Sequence, residues 1–385
     1  MRAILLSAIC LLAGCASSAP VARPIPSVAS LTDGVWLKGD LHIHSRHSKD
    51  SSNNPISKIV ALGKSVGMDY LAITDHDNHV DGDVAQHTWA DPEFKTDQLL
   101  MLYGAEWTTH RGHGTTLSAK PYDHQKIYDV RDARDVKIAA VKKQLGIHLS
   151  ANHPAGSDHF GFSYDLVDSI EVWNSAVWSR NAGAIGIWDD MLKSGRRPTG
   201  RGGSDSHHGY PDTPDKATSL SWQAPANNVG TPTTWVFARA RTSQAVIDAL
   251  TNGRVSVSSN PRAPRVEFTA DLNHDGRADM MMGDNAKAPG GVVAFHAQLS
   301  GTLMPDAVYT VAVVKDGAPF GKFATAKGAA SVEFSDTPTT TAHTYYRVEV
   351  TGPQTPYPEI PESAQRSGDM IGLSNPIYFN FDPNF

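Results

Sequence analysis

Between residues 35 and 260, short apolar runs alternate with segments of helical spacing, and this alternation constrains the fold more than any other feature. The apolar runs include VWLKGDLHIHS, MDYLAITDH, QLLMLYGAEWT, LGIHLSANHP, SIEVWN and PTGRGGSDSHH, and the helical segments include NPISKIVALGKSVG, RDARDVKIAAVKKQ and AGAIGIWDDMLKSG. Strands that alternate with helices are typical of parallel sheets, because a helix returns the chain to the start of the next strand. The sequence therefore predicts an α/β fold built on a parallel sheet or barrel.

Histidine, aspartate and glutamate residues stand at the carboxyl ends of these apolar runs. His42 and His44 alternate on the first strand, so both imidazoles point to one side and can reach one ion. Alone, such a pair would equally suit an exposed strand edge. The other strand ends add the donors Asp75, His76, Glu106, His113, His153, Asp205 and His207. Because the carboxyl ends of parallel strands meet, we expect a centre of nitrogen and oxygen ligands for Zn, Mn or Fe.

Four motifs in this part of the chain resemble those of the PHP (polymerase and histidinol phosphatase) domain family. They read DLHIHS, AITDH, SANHP and GGSDSH. Three further segments, GAEWTTHRGHG, IEVWNS and GTPTTWVFA, resemble the CehA/McbA-type metallohydrolases of that superfamily. The resemblance spans roughly residues 33 to 260 and implies a distorted (β/α)7 barrel with two or three divalent metal ions.

The same resemblance implies a ligand set for each metal ion. The first ion would be held by His42, His44, Glu106 and Asp205. Glu106 would bridge to a second ion held also by His113 and His153. The third would be held by His76 and His207, with Asp50 at the place where many family members have an Asp or His; Lys49 stands beside it where an Asp is common, which weakens this third set.

The predicted chemistry is hydrolysis by a metal-bound hydroxide. Two cations bridged by one carboxylate lower the pKa of a shared water and polarise the ester that it attacks. We predict Glu106, His207 and Asp75 as catalytic residues, with Asp75 orienting a ligand or accepting a proton. A phosphoester is the favoured substrate; carbamate or ester hydrolysis of the CehA type and a non-catalytic metal-binding or ligand-binding surface lipoprotein remain as alternatives. The sequence has no G-x-S-x-G motif, so it gives no indication of a serine hydrolase.

Five residues near the strand ends are candidates for substrate binding. Arg46, Arg111 and Arg201 could clamp a phosphate, although surface charge explains each of them equally well. Trp173 and Asn174 in IEVWNS are expected at the floor of the pocket.

After residue 262 the pattern changes to short alternating strands without helices, which predicts a small β-sandwich over residues 263–385 that follows a metallohydrolase domain at residues 33–262. Its segment DLNHDGRAD resembles the start of a calcium loop, with candidate ligands Asp271, Asn273, Asp275 and Asp279. Met282 replaces the glutamate of position 12, so an Asx-rich turn is the alternative.

The first 32 residues have the features of an export signal. Residues 1–15 combine Arg2 with a short apolar stretch and end in LAGC, which resembles a lipobox and implies acylation of Cys15. Residues 16–32 form a Pro-rich tether. We therefore expect an exported, lipid-anchored protein, periplasmic or at the cell surface, that meets a membrane and a small ester substrate. The net charge of −6 and the absence of a basic block give no reason to expect nucleic acid; the sequence leaves the oligomeric state open.

Overall fold

The computed structural model of the chain describes residues 33–157, 159–208 and 228–382. The predicted signal segment, the tether and Cys15 lie outside the described residues. Among the helices that are described, none is both long and apolar enough to cross a bilayer.

The described chain contains six α-helices and nineteen strands. The helices are α1 (Ile56–Ser65), α2 (Gln125–Tyr128), α3 (Asp135–Leu145), α4 (Ala182–Lys193), α5 (Ser243–Thr251) and α6 (Pro361–Ser367). The strands of the first two thirds are β1 (Val35–Asp40), β2 (Tyr70–Ala72), β3 (Leu100–Thr109), β4 (Gly112–Ser118), β5 (His148–Ala151), β6 (Ser169–Asn174), β7 (Thr199–Gly203), β8 (Thr233–Ala238) and β9 (Val255–Ser258). The remaining strands are β10 (Arg265–Asp271), β11 (Met280–Met281), β12 (Asn285–Ala286), β13 (Val293–Ser300), β14 (Thr310–Lys315), β15 (Ala318–Ala324), β16 (Ser331–Asp336), β17 (Thr344–Thr351), β18 (Met370–Ser374) and β19 (Ile377–Phe379).

The helices expected from apolar spacing are present as α1, α3, α4 and α5. In α1 the apolar residues recur every three or four positions, so Ile56, Ile59, Val60 and Leu62 are buried on one side. Helix α3 ends where Gly146 adopts a left-handed conformation, with φ of 63°, which glycine reaches without steric cost. These helices pack on a sheet, and the α/β class predicted from the sequence is confirmed.

One large sheet contains the strands that lead to the predicted metal ligands. It runs in the order β9-β8-β1-β2-β3-β4-β5-β6-β7. The pairs β1–β2, β2–β3, β5–β6 and β6–β7 are parallel, whereas β3–β4, β4–β5 and β8–β1 are antiparallel. The predicted (β/α)7 barrel is not seen, because among the described strands β7 pairs only with β6, and no second ladder closes the sheet. A hairpin between β3 and β4 replaces one of the expected helical crossovers.

Side chains and one short bridge connect β7 to the strands opposite it. The Thr234 hydroxyl on β8 accepts a hydrogen bond from Gly202 N (3.0 Å), and the Asn375 side chain bonds both backbone groups of Gly200 at 2.7 Å. Beyond the strand ends, Ile43 and Ser206 form an isolated parallel bridge. This bridge places the segment after β7 directly beside the segment after β1.

The C-terminal part is rich in strands, as the sequence predicts, but it shares a sheet with the first part. Strand β18 pairs with β9, and β17, β14, β15 and β19 extend the large sheet beyond it. A second sheet, in the order β11-β10-β13-β16, encloses an apolar core that includes Phe268, Phe295 and Phe334. The expectation that no helix would occur here is wrong, since α6 begins at Pro361.

Candidate metal centre

Glu106 lies at the centre of a buried cluster of histidines. The side chain is fully buried, and its two carboxylate oxygens lie within 3.4 Å of nitrogens from five imidazoles. Oxygen Oε1 faces His42, His113 and His153, each at 3.2 Å, and Oε2 faces His76 at 2.9 Å and His44 at 3.4 Å.

The sheet explains why these residues meet. Glu106 lies on β3, and His76 follows β2 and forms a parallel bridge with Glu106. His113 on β4 stands opposite Thr108 of β3, and residues 106 and 108 share one face of that strand. The hairpin thereby brings His113 to the face that carries Glu106.

His42 and His44 approach the cluster from β1 together with Asp205 from the segment after β7. Their Nε2 atoms lie 3.2 Å apart, and Asp205 Oδ1 lies 3.4 Å from His42 Nε2 and 3.2 Å from His44 Nε2. A hydrogen bond from Asp205 N to the His42 carbonyl holds the two segments together. Asp205 has a positive φ of 52° and His153 a φ of 25°, conformations that the surrounding structure must enforce.

Asp50, His76 and His207 form the outer edge of the cluster. Asp50 Oδ2 lies 3.4 Å from His76 Nε2 and 3.6 Å from His207 Nε2. The His207 ring stacks on that of His44, with a centroid distance of 4.1 Å.

Four groups of side chains bring three metal-ligating atoms within 4.8 Å of one another. They are His42, His44 and Asp205; His42, Glu106 and His153; His76, Glu106 and His113; and His44, His76 and His207. Eight of the nine residues predicted as metal ligands belong to these groups, and the ninth, Asp50, lies beside His76 and His207. The grouping differs from what the resemblance implies, because His76 joins Glu106 and His113, His42 joins Glu106 and His153, and His44 joins His76 and His207.

The charges of the imidazoles and carboxylates in the cluster depend on one another. Burial alone would lower the pKa of His42 and that of His76, but the neighbouring carboxylates raise the first well above its usual value and the second to about 10. Burial, together with the neighbouring His207 and His76, lowers the pKa of His44 to about 3, so its imidazole is neutral at pH 7. Burial alone would raise the pKa of Glu106, but His42, His76 and His113 hold it well below its usual value, so Glu106 is ionised. Glu106 Oε2, His113 Nδ1 and Asp50 Oδ1 are buried and make no hydrogen bond in the described structure. Because metal ligands must be deprotonated, a divalent cation bound here would displace the protons of His42 and His76 and lie beside the ionised carboxylates.

A second layer of hydrogen bonds fixes the rings. His42 Nδ1 lies 3.0 Å from Glu171 Oε1, which leaves Nε2 to face the cluster. Glu171 also accepts hydrogen bonds from the backbone N–H of His153 (2.8 Å) and from the Arg201 guanidinium (2.7 Å). Glu171 was missed at the sequence level, because one glutamate inside a strand has no local pattern to mark it.

Asp75 belongs to this second layer. It accepts hydrogen bonds from Ser45, Ser48 and Thr88, and the Ser48 hydroxyl lies 3.3 Å from His44 Nδ1. Asp75 is buried and does not line the cavity. This position suits the predicted orienting role.

Most of the predicted substrate-binding residues lie elsewhere. Arg201 is fully buried, where it bonds Glu171 and Asn152. Arg46 pairs with Asp91, and Arg111 with Asp135. Trp173 is fully buried and packs against Trp178. Of the five, only Asn174 lines the cavity, with its amide 3.3 Å from Asp205 Oδ2.

The cluster opens into a cavity of about 560 Å³. The cavity is lined by the cluster residues Asp50, His76, Glu106, His113, His153, Asp205 and His207, and also by Ala155, Gly156, Ser157, Asn174, Ser175, Arg180, Asn181 and Ala184. Of the second set, only Asn174 was predicted from the sequence, since scattered small and polar residues do not form a recognisable motif.

The predicted calcium loop shows the geometry of an Asx-rich turn. Asp271 accepts hydrogen bonds from the backbone N–H groups of Asn273, His274 and Gly276, and Asp279 accepts one from Leu272. Asn273 and Asp275 likewise accept from the backbone two residues further on. Among the described residues, the sets of three potential metal ligands that lie close together all belong to the cluster around Glu106, and none is found in this loop.

A comparison with protein families agrees with this geometry. Residues 40–151 match the PHP domain, and the match contains His42, His44, Asp50, His76, Glu106 and His113. His153, Asp205 and His207 lie beyond it and complete the cluster in three dimensions. No curated protein matches the chain. Residues 40–151 of the chain are thus similar to the PHP domain, which supports a relation to the PHP superfamily.

Proposed function

We propose that this protein is a metal-dependent phosphoesterase. One observation carries the proposal: a buried carboxylate, Glu106, is surrounded by five imidazoles at the floor of an open cavity. Asp205 and Asp50 add oxygen ligands at the same floor. The donors are nitrogen and oxygen atoms, which suit Zn, Mn or Fe.

The charge of the site favours an anionic substrate. Three carboxylates line the cavity, those of Asp50, Glu106 and Asp205, whereas two divalent cations bring a charge of about +4. Glu171 does not change this balance, because Arg201 neutralises it. The cations would therefore offset the carboxylates, so a loaded site would not repel a phosphoester anion.

The residues of the chain would hold the ions and keep the site rigid. When bound, divalent cations of this kind supply Lewis acidity and a nucleophile formed from water near neutral pH. His42, His44, Glu106 and Asp205 would hold one ion, and Glu106 with His76, His113 and His153 another. Asn174, which bonds Glu171 and Asp205, would keep the latter in place.

We place the protein with the CehA/McbA type on the three segments that resemble it. Two of them contribute to the site: GAEWTTHRGHG provides Glu106 and His113, and IEVWNS provides Glu171 and Asn174. The described cavity wall has no apolar aromatic or large aliphatic side chain. Since pockets for drug-sized apolar ligands are lined mainly by such side chains, a small polar phosphoester suits this cavity better than an aryl carbamate.

We further propose that the protein is exported and anchored by lipid on Cys15. The support is the lipobox-like LAGC that ends the apolar stretch of residues 1–15. Replacing Cys15 with alanine should abolish incorporation of labelled palmitate and move the protein out of the membrane fraction. Equal labelling of the variant would contradict the anchor.

The test of the enzymatic proposal is metal content measured together with hydrolysis. We expect two or three transition-metal equivalents per chain and hydrolysis of p-nitrophenyl phosphate. Replacing His113 with alanine should lower both, with kcat/KM falling by at least about 100-fold. His110→Ala is the matched control, because His110 is exposed, pairs with Asp132 and does not line the cavity. Metal binding without hydrolysis of phosphoesters, esters or carbamates would favour a binding protein, and a metal-free chain would overturn the proposal.

A further inference from the structure

Asn152 lies behind Glu106 and donates a hydrogen bond to it. The residue follows β5, its side chain is fully buried, and its Nδ2 lies 2.8 Å from Glu106 Oε1. Among the described residues, it is the one hydrogen-bond partner of this carboxylate that is not an imidazole. Asn152 does not line the cavity, and the mechanism proposed above does not use it.

The orientation of this amide is fixed by Arg201. The Arg201 guanidinium on β7 and the Thr115 hydroxyl on β4 both donate to Asn152 Oδ1, the hydroxyl at 2.8 Å. A guanidinium has donors and no acceptor, so the amide atom that faces it must be the oxygen. The amide nitrogen then faces Glu106, whose ionised carboxylate can only accept. Fully buried Arg201 therefore holds the donor of Asn152 on one carboxylate oxygen.

The backbone around Asn152 is held as well. The Asn152 N–H donates to the His113 carbonyl at 3.1 Å, and the next residue, His153, donates its N–H to Glu171 at 2.8 Å. The amide of Asn152 cannot turn away from Glu106 without leaving buried polar groups unsatisfied, which is costly inside a protein.

A carboxylate shared by two cations needs a partner that is not itself a ligand. Glu106 belongs to two of the close ligand sets, one with His42 and His153 and the other with His76 and His113. A nitrogen that ligates a cation must be deprotonated, so it no longer donates to Glu106. The Asn152 amide belongs to none of these sets and keeps its protons, so its hydrogen bond persists when cations bind.

We infer that Asn152 is a positioning residue of the metal centre: its amide, oriented by Arg201, holds Glu106 so that one carboxylate bridges two divalent cations. This inference rests on the proposed function. Without the amide, Glu106 should still hold one cation, but a carboxylate that turns towards one ion loses its reach to the other. We therefore expect the second metal equivalent to bind more weakly by about 10- to 100-fold, the usual cost of removing the partner of a metal ligand, with the first little changed.

The test is a calorimetric titration of the metal-free, full-length protein with Mn²⁺, in wild type, Asn152→Ala and Asn152→Leu. Leucine fills the volume of the asparagine without a donor, so it serves where the cavity left by alanine prevents folding. We expect both variants to weaken the binding of the second Mn²⁺ selectively. At two equivalents, the electron paramagnetic resonance spectrum should change from that of a coupled pair to that of isolated ions.

Asn260→Ala is the matched control. Asn260 is as fully buried as Asn152, but its side chain accepts hydrogen bonds from the backbone of Arg262 and Ala263, and it does not line the cavity. This variant should lose stability, measured by urea unfolding, and bind both Mn²⁺ equivalents as wild type does.

The outcomes separate this inference from the proposed function. If the Asn152 variants bind the second Mn²⁺ as tightly as wild type, the inference fails and the phosphoesterase stands. If both affinities fall together and the coupled-pair spectrum persists at saturation, Asn152 only stabilises the fold and the inference also fails. If wild type binds a pair of cations but hydrolyses no phosphoester, a selective loss of the second cation still supports Asn152 while the enzymatic proposal fails. Wild type that binds a single cation overturns the inference whatever it hydrolyses.

Discussion

At the scale of single residues, the geometry of the site depends on the carboxylate of Glu171, which lies behind the proposed metal ligands and orients them. Glu171 receives the His42 ring, the His153 backbone and the Arg201 guanidinium, and all of these partners are within 3.0 Å of it. The ion pair with Arg201 holds the pKa of Glu171 at about 2 despite its burial, which alone would raise it. Glu171 and Arg201, which do not line the cavity, therefore set the orientation of the proposed metal ligands His42 and His153.

Replacing Glu171 with glutamine should weaken metal binding. Glutamine keeps the shape and one acceptor for His42 Nδ1, but Arg201 loses its negative partner inside the protein. Loss of such a partner to a metal ligand costs about 10- to 100-fold in affinity, and a buried unpaired charge costs about 3–5 kcal/mol of stability. A chelator competition and urea unfolding of the metal-free protein measure the two effects. The control Glu267→Gln alters a partly exposed carboxylate that pairs with Arg265; equal metal affinity in both variants would contradict the role of Glu171.

His148 should make the metal-free protein sensitive to acid. Burial lowers the pKa of His148 to about 4, and its ring lies 2.8 Å from the Ser169 hydroxyl and 3.0 Å from that of Thr251. In the unfolded chain His148 takes up a proton below about pH 6.5. In the folded protein it takes up a proton only below about pH 4. The free energy of unfolding therefore falls as pH drops through this window, by about 3 kcal/mol in all.

The variant His148→Gln should lack this part of the loss. Urea unfolding of both metal-free proteins, at several pH values between about 7.5 and 4, would show their difference in stability shrinking with acid. A difference that does not change with pH would refute the assignment to His148.

At the scale of elements, helix α4 is packed closely on the loop that follows β5. A Cβ atom added at Gly183 would lie 2.7 Å from Ala155 Cβ, next to the segment that carries His153. At Gly186, three residues further along the same helix, an added Cβ would meet nothing within 4 Å. The two glycines have the same helix propensity and differ only in this contact.

Substitution of these glycines by alanine should have opposite effects. Gly186→Ala should stabilise the protein by about 0.5–1 kcal/mol, because alanine favours the helix. Gly183→Ala should destabilise it by about 1–3 kcal/mol, since α4 or the His153 loop must shift. Denaturant unfolding of both variants measures the difference. Stabilisation by both substitutions would show that the loop gives way without cost.

The elements that could be predicted from the sequence are those with a local signal. Helix α1 has clear apolar spacing, and β2 is a buried apolar run. Strand β4 has no such signal, because its sequence GHGTTLS contains two glycines and lacks a regular alternation of apolar and polar residues. It forms a strand because it pairs with β3 and β5. The proposed metal ligands were identified through their motifs, whereas Glu171 depends on Arg201 thirty residues away, a pairing that only the fold creates.

At the scale of the whole molecule, a buried ion pair connects the two parts of the chain. Asp189 on α4 accepts hydrogen bonds from Arg347 at 2.7 and 3.0 Å and from the Tyr345 hydroxyl at 2.8 Å, both on β17. Trp188 of α4 and Leu373 of β18 belong to one apolar cluster. We therefore expect the parts to unfold together.

Replacing Asp189 with alanine should destabilise the whole molecule by about 3–5 kcal/mol, because it leaves Arg347 buried without that partner. The control Asp190→Ala removes an exposed carboxylate paired with Lys193 and should change stability by less than about 0.5 kcal/mol. Far-ultraviolet circular dichroism and tryptophan fluorescence should give coincident transitions in each protein. Separate transitions for the two probes would show that the parts fold independently.

The position of β18 has a consequence for how the protein is made. This strand lies beside β9 in the sheet but emerges from the ribosome about 110 residues after it, and Asn375, which follows β18, clamps Gly200. Until that point in translation, β9 presents an unpaired edge to the cell, and such edges invite aggregation. A premature stop in the β-rich part before β18 would therefore leave an aggregation-prone fragment, even though every proposed metal ligand had already been synthesised.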